Sequence, residues 1–143
     1  MNREILFRGK RSDTGEWIEG YFGQSVDSFI IQDYGLVAGR FELFKVVPET
    51  VGQFTGMTDK NGLKIFEGDI IADKNELFSV RWSEKISGFV AVGEHRMQPS
   101  MNQGTMKYCE VVGNIYDNDE SMQNTEPPTQ ADSWLMSRFQ KQE

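Results

Sequence analysis

Short apolar runs separated by regularly spaced turn residues are the feature that most restricts how this chain can fold. Runs such as REILFR, EWIEGYF and SFIIQ are rich in aromatic and β-branched residues, which favour strands. Gly, Asn, Asp and Ser recur between such runs every eight to twelve residues, a spacing typical of a sandwich or a barrel. No helical periodicity precedes residue 119. We therefore predict about eight strands in one mainly β domain over residues 1–118.

The stretch TDKNGLKIFEGDII, residues 58–71, predicts two tight corners. Asn61 and Gly62 both tolerate positive φ, and the Asp59 carboxylate can accept a backbone N–H two residues further on. Gly68 and Asp69 repeat this arrangement just before a strand that we expect to pair with FSVRW. The residues predicted to set the corners are Gly56, Gly62, Gly68 and Asp69.

Neither a calcium site nor an acid–base pair fits the same stretch. An EF-hand calcium loop needs its glycine five positions after the first Asp, whereas Gly62 follows Asp59 by three. Glu67 and Asp69 are separated by one glycine in a turn, so they rarely face each other across a cleft as an acid–base pair must. An enzyme would need carboxylates from distant strands, for example Glu67 or Asp69 with Glu110. We therefore interpret the stretch as turns.

The predicted core follows from alternation along the strands. In LFSVRWS, the side chains of Phe78, Val80 and Trp82 share one face, while Ser79 and Arg81 lie on the other. The full set of predicted core residues is Trp17, Phe54, Ile65, Phe66, Ile70, Val80, Trp82, Val111 and Ile115.

Charge and cysteine content restrict the function further. The net charge of −7 disfavours general binding to nucleic acid, because phosphate backbones repel an acidic chain. Cys109 is the single cysteine, which excludes a disulfide framework and predicts a small buried side chain. His95 is the single histidine, in a polar segment where we expect it to be solvated. The sequence thus predicts no catalytic residue, no cofactor and no metal site.

The sequence shows neither a membrane span nor a signal peptide. No run approaches the ~20 apolar residues of a membrane span, and residues 1–12 lack the apolar centre of a signal peptide. We expect a soluble, cytoplasmic protein without membrane contacts.

Two segments stand apart from the strand pattern. Residues 93–107 are polar and Met-rich, and we expect a long connection that is the first candidate for a binding surface. Residues 119–143 combine a polar, proline-containing linker with ADSWLMSRFQKQ, which predicts a short amphipathic helix. Because such a short helix is marginal alone, it must pack on its own domain or link protomers into a homo-oligomer. The residues predicted to form its apolar side are Trp134, Leu135, Met136 and Phe139.

Several motifs together resemble the YopX family of phage and prophage proteins. They are ILFRGKRSDTGEWIEGYF, VVPETVGQFTGMTDKNGLKIFEGDII, VRW and EVVGNIYDN, in this order, between residues 5 and 118. The resemblance implies an all-β fold with an SH3-like barrel, encoded by a phage or a prophage and acting in the bacterial host. It implies no activity, cofactor or site residue.

These observations favour a non-enzymatic binding or accessory module with a protein partner of unknown identity. One alternative is an acidic inhibitor of a host nucleic-acid enzyme, motivated by the negative charge. Another is a small barrel that binds nucleic acid through Arg3, Arg8, Lys10 and Arg11 beside stacking aromatics such as Phe7 and Trp17.

Overall fold

The computed structural model describes residues 2–33, 39–98 and 101–117, and most of these residues lie in antiparallel strands. The strands are β1 Phe7–Lys10, β2 Trp17–Gln24, β3 Ser28–Asp33, β4 Phe41–Lys45, β5 Gly52–Thr58, β6 Lys64–Phe66, β7 Asp69–Asp73, β8 Glu76–Ser83, β9 Gly88–Val92, β10 Met97–Gln98 and β11 Glu110–Asn114. A 3-10 turn, Pro48–Thr50, precedes β5, and one short helix, α1, spans Gln103–Met106. Contacts divide the chain into two compact units, Met1–Gly56 and Met57–Glu143.

The first unit is built on an antiparallel meander. Strand β2 pairs with β1 and β3, and β3 pairs with β4. One face of this sheet carries Ile30, which is fully buried. Val46 and Phe54 are also buried, and the side chain of Val46 packs closely against Gly9 of β1. These residues supply the apolar core of the first unit.

The second unit contains a five-stranded antiparallel sheet in the order β10-β9-β8-β7-β11. Ile70 of β7 lies opposite Ser79 of β8, so the predicted pairing of this strand with FSVRW is confirmed. The buried core cluster of the unit draws on β6 to β9, on α1 and on the residue before β11. Its members are Ile65, Ile71, Phe78, Val80, Ala91, Met106 and Cys109.

The mainly β prediction is confirmed, but the SH3-like barrel is not. The described strands form two antiparallel sheets, in which we find no closed barrel. The predicted linker and helix of residues 119–143 lie outside the described residues, so that part of the domain division stays a prediction. No helix in the described ranges is long and apolar enough to cross a membrane.

Five predicted core residues are buried as expected: Phe54, Ile65, Phe66, Ile70 and Val80. Three more, Trp17, Val111 and Ile115, are half-buried. The prediction for Trp82 was wrong, because its side chain is 46% exposed. It lies near the far end of β8, beyond Phe78 and Val80, and packs edge-on against Phe89 of β9 with 5.2 Å between ring centroids. Alternation correctly placed Trp82 on the same face as Phe78 and Val80, but the end of the β8–β9 hairpin that carries Trp82 extends past the core.

The described residues of the segment 93–107, which are 93–98 and 101–107, include regular secondary structure. They contain β10 and α1, and α1 has only four residues, too few to show a helical period in the sequence. The Asn102 side chain caps α1 by accepting a hydrogen bond from the Thr105 N–H. The Gln103 amide bonds both backbone polar groups of Thr58, at 2.8 and 2.9 Å. With Met106 buried in the core, much of this segment serves the fold.

Glycine corners are the best predicted feature of the fold. Gly56, Gly62 and Gly68 have φ of 87°, 80° and 94°, the left-handed region in which a Cβ is strained. Gly68 also lies against the ring of Tyr116, where a Cβ would be 3.0 Å from Cε2. Gly62 and Gly68 lie between strands as predicted, whereas Gly56 lies within strand β5, so the prediction of a corner there was wrong. All three positions require glycine for conformation, and Gly68 requires it for space as well.

Gly62→Val should lower the free energy of unfolding by roughly 1–2 kcal/mol, because a β-branched residue is strained at positive φ. No atom lies within 4 Å of a Cβ at this position, so the loss would report conformation and not crowding. Urea unfolding measures it, with Gly88→Val as a matched control in a strand position with ordinary φ and space for a side chain. Equal stability of the two variants would show that position 62 has no need of glycine.

Candidate binding surface

Strand register places an ordered set of side chains on one face of the first unit. Tyr21 of β2 lies opposite Ile31 of β3, and Ile31 lies opposite Leu43 of β4. Directly opposed residues of an antiparallel sheet share a face, so these three form a row across the strands. Phe41 of β4, opposite Asp33, begins the neighbouring row on the same face. We call Tyr21, Ile31, Phe41 and Leu43 the binding array.

The binding array is exposed although it is apolar. Tyr21 is 56%, Phe41 59% and Leu43 51% accessible to solvent, while Ile31 is half-buried. Gly23 helps to shape this face, since a Cβ there would lie 3.0 Å from Cδ1 of Ile31. The opposite face of the same strands carries the buried Ile30. Contiguous exposed side chains of this size are typical of interaction surfaces, whereas scattered ones are not informative.

An open pocket of about 400 Å³ adjoins the binding array. Tyr21 and Ile31 form one side of it, and Ile5 and Leu6 extend its apolar lining. Gly20 also lines the pocket. The backbones of β2 and β3 approach so closely there that a Cβ at position 20 would lie 2.4 Å from the Ile31 carbonyl oxygen. The full lining is Glu4, Ile5, Leu6, Glu19, Gly20, Tyr21, Ile31, Gln32 and Asp33.

The charge around this pocket is negative. Glu4, Glu19 and Asp33 line it, and its described lining contains no Lys or Arg. The Gln32 amide donates a hydrogen bond to the Glu19 carbonyl oxygen at 3.0 Å, which fixes one wall. Arg8 of β1 lies directly opposite Glu19, on the same sheet face, and its guanidinium lies over the Trp17 ring, 4.7 Å from its centroid. The pocket is therefore lined by apolar groups and by three carboxylates, with one cation next to Glu19.

The carboxylates of the glycine corners have a different environment. Asp59 and Asp69 are both buried, and Asp59 accepts three backbone N–H groups while Asp69 accepts that of Phe66. Burial alone would raise the pKa of Asp59, but hydrogen bonds from the backbone N–H groups of Val111, Leu63 and Asn61 outweigh it and lower the pKa. These groups hold the chain, as the turn interpretation of the sequence predicted.

The sequence offered Glu110 as a distant partner for the corner acids. In the β7–β11 register Glu110 lies opposite Ala72, while Asp69 lies opposite Asn114, which places the two acids on opposite faces of β7. Glu110 instead forms an exposed ion pair with Lys60 at 3.4 Å. The structure does not bring these carboxylates together.

The aromatic residues suggested for nucleic-acid stacking are also separated. Phe7 pairs with Gly20 and Trp17 pairs with Lys10, so the two rings lie on opposite faces of the sheet. Phe7 packs against Phe22, with 5.7 Å between centroids, and Trp17 is covered by Arg8. Phe7 and Trp17 therefore do not form one stacking surface.

Cys109 and His95 lie where the sequence indicated. Cys109 is buried in the core of the second unit, and its Sγ donates to the Thr105 carbonyl oxygen at 3.7 Å. Burial, with the charges of Asp73 and Asp59, raises the pKa of its thiol, which makes it less reactive. The side chain of His95 is 81% exposed.

Sequence reasoning missed the binding array. The run FELFK alternates Phe41 and Leu43 with Glu42, which was a usable signal, but EWIEGYF is apolar on both of its faces. Which face becomes the core depends on what packs against the strands, and a single sequence does not contain that information.

Comparison with known proteins identifies the family. A family model described as YopX protein matches residues 6–123. The chain belongs to the YopX family. The resemblance inferred from the motifs is thereby confirmed, and the match extends past residue 118.

A solved structure supports the fold of this YopX family member. The crystal structure of protein EF1440 from Enterococcus faecalis is similar to it, with a TM-score of 0.52 and 21% sequence identity. The match covers 85% of this chain and 99% of that chain. The comparison with curated proteins gives no match.

Proposed function

We propose that this YopX family member is a phage- or prophage-encoded accessory module without catalytic activity, which binds a protein partner in the cytoplasm of the bacterial host. The partner binds to the array formed by Tyr21, Ile31, Phe41 and Leu43. The observation that carries the proposal is the exposure of Tyr21, Phe41 and Leu43 together on one sheet face.

Energetics favour a protein partner over solvent at this face. Burying a large apolar side chain that is fully exposed contributes roughly 1.5–3 kcal/mol. The exposed fractions of Tyr21, Phe41 and Leu43 are each near half, so covering all three contributes a few kcal/mol before the cost of association. That amount suits the centre of a small protein–protein interface, in which a few residues dominate the affinity.

An SH3-like barrel is part of this proposal. An isolated antiparallel bridge joins Arg11, next to β1, to Val46, next to β4. The bridge connects the chain next to β1 with the chain next to β4, the first and last strands of the meander. The Val47 N–H also donates a hydrogen bond to the Lys10 carbonyl oxygen at 2.9 Å. Such closure supports an arrangement in which the face with Ile30 is internal and the binding array lies outside.

A photo-cross-linking amino acid at position 43 tests the function. We expect it to link to a protein in bacterial cells that produce the full chain, because the position lies in the interface. The same group at position 26 is the control, since Val26 is 97% exposed but lies in the turn between β2 and β3, outside the binding array. Equal cross-linking from both positions, or none from position 43, would contradict a binding role for this face.

A further inference from the structure

We propose that the occupant of the binding array is residues 133–142 of a second copy of this chain, exchanged reciprocally in a homodimer. The inference rests on the proposed function and names its partner. It has three grounds: the apolar content of the segment, its charge, and the length of chain that precedes it.

The apolar groups of the two surfaces match in kind and number. The segment SWLMSRFQKQ carries Trp134, Leu135, Met136 and Phe139 among only ten residues. So short a segment buries little of this surface by its own folding, because a helix of this length is marginal alone in water. The binding array also has apolar side chains that its own unit leaves uncovered, since Tyr21, Phe41 and Leu43 are each about half exposed.

The charges are complementary as well. Residues 133–142 include Arg138 and Lys141 and contain no Asp or Glu. The adjoining pocket is lined by Glu4, Glu19 and Asp33, and the cation next to it on this face is Arg8, opposite Glu19, so three carboxylates face one cation. Opposite charges at the edge of an apolar contact add specificity and a dependence on salt, while burial of the apolar groups supplies most of the affinity.

The connection is long enough for exchange between copies. Residues 118–132 precede the segment, and fifteen residues of extended chain span up to about 50 Å. A domain of this size has a radius of gyration of about 13 Å, so such a connection reaches the surface of a neighbouring molecule. Reciprocal exchange forms two identical contacts in one dimer, and the second contact forms at high effective concentration.

Light scattering on the full-length chain over a range of concentrations tests the proposal. We expect the wild-type protein to have twice the monomer mass in the micromolar range. Leu43→Lys removes the contact at the binding array, and Trp134→Ser with Phe139→Ser removes it at the segment, so both variants should be monomers. Val26→Lys adds the same charge at an exposed apolar residue outside the array, and it should remain a dimer. Circular dichroism melts confirm that each variant is folded.

A mixture of the two monomeric variants decides between modes of dimerisation. The Leu43→Lys chain keeps an intact segment and the serine variant keeps an intact array, so one contact can form between them. Sedimentation with one fluorescently labelled variant should show a heterodimer, at least tenfold weaker than the wild-type dimer. No association of the mixture at several hundred micromolar would overturn the proposal.

Three other results would also overturn it. They are a monomeric wild-type protein, dimerisation of either the Leu43→Lys or the serine variant alone, or loss of the dimer in Val26→Lys. A monomeric wild type whose position 43 still cross-links to a host protein would remove the dimer and leave the proposed function standing. Failure of the cross-link in addition would remove both.

Discussion

Asp59→Ala should lower the free energy of unfolding by about 3–5 kcal/mol, the largest effect we expect from any single polar substitution in this chain. The Asp59 side chain is 4% exposed. Its Oδ1 accepts the backbone N–H groups of Asn61 and Leu63 at 2.8 and 2.9 Å, and its Oδ2 accepts that of Val111 at 2.9 Å. Alanine would leave three donors without this acceptor. Urea unfolding at pH 7 measures the loss.

The third hydrogen bond makes Asp59 more than a turn residue. Val111 lies 52 positions further along the chain, on strand β11. The carboxylate therefore closes the corner that contains Gly62 and also anchors the edge of the five-stranded sheet. Asp59→Asn is the matched variant, because its amide oxygen can keep the two bonds of the turn while its NH₂ group replaces the acceptor for Val111. We expect an intermediate loss, and an Asn variant as stable as the wild type would contradict the anchoring role.

Stability should also depend on pH through this carboxylate. The pKa of Asp59 is lowered in the folded protein, so its ionised form is favoured by folding. Its contribution is full above the unfolded pKa of about 3.9 and is lost as pH falls through the folded value. The stability difference between the wild type and Asp59→Asn should therefore be constant above about pH 5 and shrink below about pH 4. A difference that does not change down to pH 2.5 would show that the pKa is not coupled to folding at this site.

Gly20→Ala should lower the free energy of unfolding by about 2–3 kcal/mol, because the new methyl group meets backbone. A Cβ at this position would lie 2.4 Å from the Ile31 carbonyl oxygen and 3.0 Å from Cγ2 of Ile30. Strand β2 would have to move away from β3 to accept it. The change therefore acts on the sheet that displays the binding array, and thermal or urea unfolding measures its cost.

Gly23→Ala is the control for this substitution, since it lies on the same strand. Its Cβ would lie 3.0 Å from Cδ1 of Ile31, the end of a flexible side chain that can rotate away. We expect a loss below about 1 kcal/mol there. If the two alanine variants unfold at the same urea concentration, the close approach of β2 and β3 at Gly20 does not restrict the sequence.

The accuracy of the sequence predictions depends on the range of the interactions involved. Gly62 and Gly68 were predicted as corners because positive φ is a property of the residue itself and its neighbours. The bond from Asn61 to Asp59 was predicted for the same reason, as it spans two residues. The bond from Val111 was not predicted, because no local pattern relates a turn to a strand 52 residues away.

The candidate site was not predicted for the same reason, since its exposure depends on contacts between residues that are distant in the sequence. Alternation in β8 identified Phe78, Val80 and Trp82 as one face, yet only the first two meet the core. In β2 and β4, apolar residues occupy both faces, so the sequence marked these strands without saying which side is covered. The exposure of Tyr21 and Leu43 is a result of packing on the opposite face, where Ile30 is buried.

By itself, the sequence determined the mainly β class, the family, the corner residues and the pairing of β7 with β8. The class, the corners and the strand pairing follow from backbone conformation or from strand alternation, which act over a few residues, whereas the family was indicated by the order of four sequence motifs. The tertiary structure alone decided which sheet face is exposed, that Asp59 holds β11, and that Met106 belongs to the core. These outcomes depend on which distant segments pack together, and the free energy of that packing is shared among residues that no local pattern connects.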